Sequence, residues 1–350
     1  MEKQRIEWID TAKGICILLV VLHHVSRFLH VGYPFQDVFV SFRMPLYFIL
    51  SGLFFKTYSG FSDFVVRKSN KLIIPYLFFF ALGGVILPVL LSNFDIKVWS
   101  YKDYGFDAFK WVFSEKVISN PSIWFLLCLF EVNIIFYLIQ MVSHKTKSST
   151  KVCALISFTV GSIGLLLSLL HVNLPFFIDS ALSATPFFFF GWYLRNYTHF
   201  LTMGTPKRNL MIDIPLCVAV FAFIHFFNFG NCAIHGNGYG GLSGVIQLYP
   251  YGILGTLVVL HISRLMGKVP YLSYIGRYSI IVLCTHAYCI QFSGYVLSNF
   301  IHERHLLLIA TFILTVVINA TIIPIFKQWL PYVTAQKDLF VIRSITEKKN

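Results

Sequence analysis

Charge is what this sequence has least of. Aspartate and glutamate together number 15 in 350 residues, and all four charged types make up 12% of the chain. A soluble domain carries roughly 25%, because its surface must face water, so an ordinary soluble globule is excluded. The basic residues form no stripe; they fall between apolar runs, which excludes a nucleic-acid surface despite a formal charge of +13. Cys16, Cys128, Cys153, Cys217, Cys232, Cys284 and Cys289 show no metal-ligand spacing and sit mostly inside apolar runs. They read as small hydrophobes, and no metal is expected. No small-residue cleavage site follows the first apolar run, so no cleavable signal peptide is expected. Neither an internal repeat nor a matched pair of broken helices is visible, which weighs against a secondary transporter.

What is present in excess is hydrocarbon. Hydrophobic residues make up 57% of the chain and the mean hydropathy is +0.71, values that belong to polytopic membrane proteins. Apolar runs near 11–30, 42–57, 72–92, 122–142, 152–170, 181–195, 210–228, 244–263, 278–298 and 306–326 predict an all-α protein of about ten transmembrane helices. An even number of crossings puts both termini on one side. With the N-terminus inside, 21 of the 28 basic residues fall on cytoplasmic segments, which is the asymmetry of the positive-inside rule. Residues 1–331 then form one transmembrane domain and 332–350 a short polar cytoplasmic tail. The long connection at 93–121 reads as a surface-lying amphipathic segment or, alternatively, a lid over a site, and the glycine-rich stretch 230–244 as a slack linker or, alternatively, an adaptable sugar-binding lip.

The first apolar run carries the densest chemistry. Residues 10–25 read DTAKGICILLVVLHHV, with charge at one end and two histidines where a membrane helix needs only hydrocarbon. On a helix, Lys13 and His24 lie about 20° apart around the axis and about 16 Å apart along it. They share a face, while His23 points about 100° away. That geometry suggests a cation at the membrane surface that holds an anionic group while an imidazole about half a bilayer deeper does the chemistry.

The same run resembles the first helix of the membrane-bound acyltransferase-3 family, and within it the branch similar to fucose 4-O-acetylases and other sugar O-acetyltransferases. The family pattern is a basic residue, usually Arg, ten intervening residues and then His; Lys13 and His24 occupy those places. The resemblance continues through SFRMPLYFILSGLFF at 41–55, KLIIPY at 71–76, IWFLLCLF at 123–130 and YIGRYSIIVLCTH at 274–286. It implies acyl transfer, with acetyl-CoA as cytoplasmic donor, to a hydroxyl of a cell-surface glycan or lipid-linked sugar precursor, in the bacterial inner membrane among membrane lipids. The chain departs from the family twice. Asn70 stands where a second arginine commonly follows Arg67, and Arg43 where His commonly precedes Met-Pro.

Such a reaction needs a base, and His24 is the candidate, because imidazole titrates near working pH. A cradle for the carrier's phosphates is expected from Lys13, Arg67 and Lys71. Glu131 lies within a predicted span, where an unpaired carboxylate is costly, and is expected to orient His24 or pair with Arg43. Arg43 has Asp37 or an acidic glycan as other candidate partners. His286 is a second imidazole at depth, with a catalytic or a structural role. Asp10 stands three residues before Lys13 and belongs to the first-helix motif. Ser51-Gly52 reads as a close helix contact. A competing reading makes His24, Glu131 and His286 the proton relay of a coupled transporter.

Overall fold

Apolar runs become helices because a helix satisfies its own backbone hydrogen bonds where no water is available. The computed structural model describes residues 6–86, 120, 122–146, 148–201, 209–228, 234 and 241–341. In chain order the helices are α1 (Glu7–Leu29), α2 (Gln36–Leu53), α3 (Phe61–Lys68), α4 (Ile74–Ala81), α5 (Trp124–Ser143), α6 (Ser149–Leu169), α7 (Ile178–Tyr197), α8 (Leu210–Phe226), α9 (Leu242–Met266), α10 (Pro270–Arg277), α11 (Ser279–Ser298) and α12 (Arg304–Trp329). A π-helical turn, Ser69–Ile73, joins α3 to α4, and a second, Leu82–Ile86, follows α4. No strand occurs among the described residues.

Among the described residues six helices, α1, α5, α6, α9, α11 and α12, are long and apolar enough to cross a membrane. That is fewer than the ten expected. Helices α2 and α7 occupy expected runs but carry polar side chains, among them Asp37, Ser41 and Arg43 in one and Asp179, Ser180, Ser183 and Arg195 in the other. Helix α8 is only 17 residues long. The 72–92 run is described only to residue 86. Residues 93–119, Cys232, most of the 230–244 stretch and the tail beyond 341 lie outside the described residues.

Helix α1 is central and packs on α2, α9, α10, α11 and α12. Its tightest contact is with α10. A Cβ on Gly14 would strike the Leu272 carbonyl, and one on Gly276 would strike the Asp10 carbonyl and the Gly14 nitrogen. Thr11 locks the same contact, donating to the Gly267 carbonyl at 2.6 Å and meeting Ser273 Oγ at 2.9 Å. Helices α2 and α7 meet through Gly52 and Gly191 in the same way, each against the partner's backbone. In lipid, association relies on such close van der Waals contact rather than on apolar burial, and the Ser51-Gly52 expectation holds. Fixing α1 against α10 also fixes the depth at which α1 presents its histidines to α11, the helix that directly follows α10.

Candidate active site

Three side chains from three elements converge beside α1. His24 lies five residues before the end of α1, and its ring stands 5.2 Å from that of His286 on α11. Between them is Ser122, at the turn into α5. Its Oγ lies 2.9 Å from His286 Nε2 and 3.4 Å from His24 Nε2. Asn120 holds the turn: its Oδ1 accepts from the Ser122 N–H at 3.2 Å, and its Nδ2 donates to the Cys284 carbonyl on α11 at 2.7 Å. Asn120 and His286 are fully buried, Ser122 nearly so, and His24 partly exposed. Only the last ring is therefore open to a ligand.

The proton placement follows from the donors available. His286 Nδ1 faces the Val282 carbonyl at 2.8 Å, which can only accept, so Nδ1 carries the hydrogen. In neutral His286 the Nε2 lone pair then accepts the Ser122 hydroxyl hydrogen. With its single proton committed, Ser122 presents lone pairs to His24 Nε2. That contact is favourable when this nitrogen is protonated, the condition an imidazole reaches after removing a proton from a hydroxyl. The arrangement suits a base at His24 whose protonated form is stabilised by Ser122, which His286 and Asn120 hold in place.

Of the residues expected from sequence, the structure brings His24 and His286 together, sets Arg43 within electrostatic range of His23 beside them, and leaves the others apart. Glu131 hydrogen-bonds to neither His24 nor Arg43. It lies nine residues beyond Ser122 on α5, about 13 Å along the axis, within electrostatic range of Asp179 and Tyr76, and its Oε2 is buried without a partner. The expectation that it orients His24 or pairs with Arg43 is therefore corrected. Asp37 pairs with His225 at 2.9 Å rather than with Arg43. Asp10 is buried at the α1–α10 contact. Lys13 points to the opposite end of α1 from His24, with Nζ 5.5 Å from the centre of the Phe54 ring.

Arg67 and Lys71 already have anionic partners. Arg67 Nε binds Asp63 at 2.7 Å and its guanidinium covers the Tyr58 ring. Lys71 Nζ binds Asp338 and the Ala335 carbonyl, both at 2.9 Å. Beside it, Asn70 accepts from the Leu339 and Phe340 N–H groups at 2.9 Å and donates to the Phe340 carbonyl at 2.7 Å. The Asn70 departure from the family pattern thus has a physical use, as a clamp for the segment after α12. On this face the cations without a carboxylate partner among the described residues include Arg277, Lys327 and Lys337. With Tyr278, Pro331 and Gln336 they line a cavity of about 290 Å³. Among the described residues no group of His, Cys, Asp and Glu is disposed to hold a metal ion.

Sequence reading missed Ser122 and Asn120. The available signal was Asn-Pro-Ser directly before a membrane run, a turn that places polar groups at a helix entrance. No curated protein and no solved structure matches the chain. The family model for an acyltransferase domain, that of the acyltransferase-3 family, matches residues 6–323, from the start of α1 to the last turns of α12, and so takes in His24, Ser122 and His286. By that match over nearly its whole length, the chain belongs to the acyltransferase-3 family and is a membrane acyltransferase.

Proposed function

We propose that the protein moves an acetyl group from cytoplasmic acetyl-CoA to a hydroxyl of a cell-surface polysaccharide or its lipid-linked precursor, in a bacterial inner membrane that the chain crosses about ten times with both termini inside. The observation that carries this reading is the His24–Ser122–His286 cluster, a partly open imidazole backed by a buried hydroxyl and a second imidazole. His24 takes the acceptor hydroxyl's proton as the oxygen attacks the thioester carbonyl. The tetrahedral adduct collapses, the carbon–sulfur bond breaks, and the proton leaves with the CoA sulfur. A proton-transfer group of this kind contributes about 10²–10⁴ in rate.

The basic face supports a donor with phosphates. Lys13 stands about 16 Å below His24 on α1. The cavity of Arg277, Lys327 and Lys337 adjoins Tyr278, about 12 Å along the helix axis from His286. A flexible carrier arm spans such distances, with its phosphates on the cations and its thioester near the imidazoles. The transporter reading has less support, because Glu131 lies too far from the two histidines to extend a relay. Acceptor-stimulated release of CoA thiol from acetyl-CoA by the purified chain in lipid nanodiscs tests the proposal. Release that no carbohydrate acceptor stimulates would overturn it.

A further inference from the structure

Arg43 is a buried cation that the acyl-transfer reading leaves unused. It is 9% exposed within α2, its Nη1 is buried without a partner, and no hydrogen bond or ion pair reaches its guanidinium among the described residues. An uncompensated charge away from water costs several kcal/mol, and such a group in a membrane segment is expected to meet an anion. Among the described residues its surroundings supply none. The described groups within electrostatic range are Tyr33, Cys16, Arg27 and His23, which are neutral or of like charge.

Two of these neighbours are orphaned as well: the Tyr33 hydroxyl and His23 Nδ1 are buried without hydrogen-bond partners. The backbone of Arg43 is fixed by Cys16, whose thiol donates to its carbonyl at 3.0 Å. Cys16 lies two turns below His23 on α1, about 10 Å, so the guanidinium reaches up α1 toward the histidines. The His23 ring is 5.7 Å from that of His24. A cation and two further polar groups, all unsatisfied, therefore stand on the flank of the candidate base. An apolar acyl chain or a neutral aliphatic group would leave all three unpaired. A carboxylate or a phosphate accepts from the guanidinium in bidentate fashion and from the phenol and the imidazole as well.

We propose that Arg43, with Tyr33 and His23, forms an anion subsite that holds a carboxylate or phosphate borne by the glycan acceptor while its hydroxyl faces His24. This rests on the acyl-transfer reading for the word acceptor, but anion binding is measurable without turnover, so failure of one is seen apart from failure of the other.

The test uses the full chain in phosphatidylcholine nanodiscs and reads thermal unfolding. The probes are inorganic phosphate, methyl glucuronide and, as neutral control, methyl glucoside. One of the two anions is expected to raise the Tm of the wild type, and which one does so identifies the acceptor group; the glucoside is expected to leave it unchanged. Arg43→Met should unfold at a higher temperature than the wild type without ligand, since it removes an unpaired buried charge, should lose the anion response, and should bind acetyl-CoA as before. Arg43→Lys should respond with about tenfold weaker apparent affinity, having lost the planar fork. No response to either anion in the wild type, or an equal response in Arg43→Met, would overturn the proposal. So would stabilisation by phosphatidylglycerol alone, which would assign the site to a lipid headgroup.

Discussion

A histidine within hydrocarbon is tolerable when both ring nitrogens find partners, and His286 meets that condition with Val282 and Ser122. His24 differs in exposure, being partly accessible where His286 is fully buried, and that access separates a reacting imidazole from a positioning one. Ser122→Ala should therefore lower kcat by tenfold to a hundredfold, on the order of one hydrogen bond to a charged group, while leaving acetyl-CoA affinity and the unfolding temperature close to wild type. Purified variants assayed at saturating donor check this; unchanged kcat would remove Ser122 from the site. The spacing of Lys13 and His24 was legible because both lie on one helix, whose geometry is known in advance. The Ser122 contact was not, because nothing local states which turn of α5 lies beside α1. Glu131 was misjudged for the same reason: it is costly in a span, but its neighbours come from α4 and α7, out of reach of the histidines.

At the scale of elements, the register of α1 against α10 is the joint on which the site depends. Gly14 and Gly276 let two backbones touch, and α11 continues directly from α10. Gly276→Leu should therefore destabilise the fold by more than the 1–3 kcal/mol typical of overpacking, because the new side chain meets backbone rather than a movable neighbour. A scan of thermal unfolding in detergent reads this directly; wild-type stability would show that the contact is not tight. The turn of Ser69–Ile73 organises a second joint. Lys71→Ala together with Asn70→Ala should free residues 332–341 for limited proteolysis, with cleavage there in the double variant and protection in the wild type. Small residues placed to let helices touch were legible at Ser51-Gly52. The docking of the last segment was not, since its partner lies about 270 positions away in sequence.

For the whole molecule, scarce charge marked the membrane class, because so few charges cannot cover a water-facing surface of this size, and apolar runs of about twenty residues marked it as helical. The number of crossings was less legible, since α2 and α7 carry polar groups inward and so blur the hydropathy that marks a span. The proposed topology predicts that cysteines introduced at Ser59 and His144 are protected from an impermeant thiol reagent in intact cells, and that those at Gly32, His171 and Asn299 are labelled. The reverse pattern would place the histidines at the wrong depth for a cytoplasmic donor.

If His24 is the base of an acyl transfer, the rate of acetyl transfer by His24→Gln reveals it, with His23→Gln as control and folding read in parallel. His24→Gln should lose about 10²–10⁴ in kcat with unchanged acetyl-CoA binding, His23→Gln should lose far less kcat and show its defect in the acceptor KM, and the wild-type rate should fall as pH drops through the imidazole's titration. Near-normal transfer by a folded His24→Gln protein would contradict it.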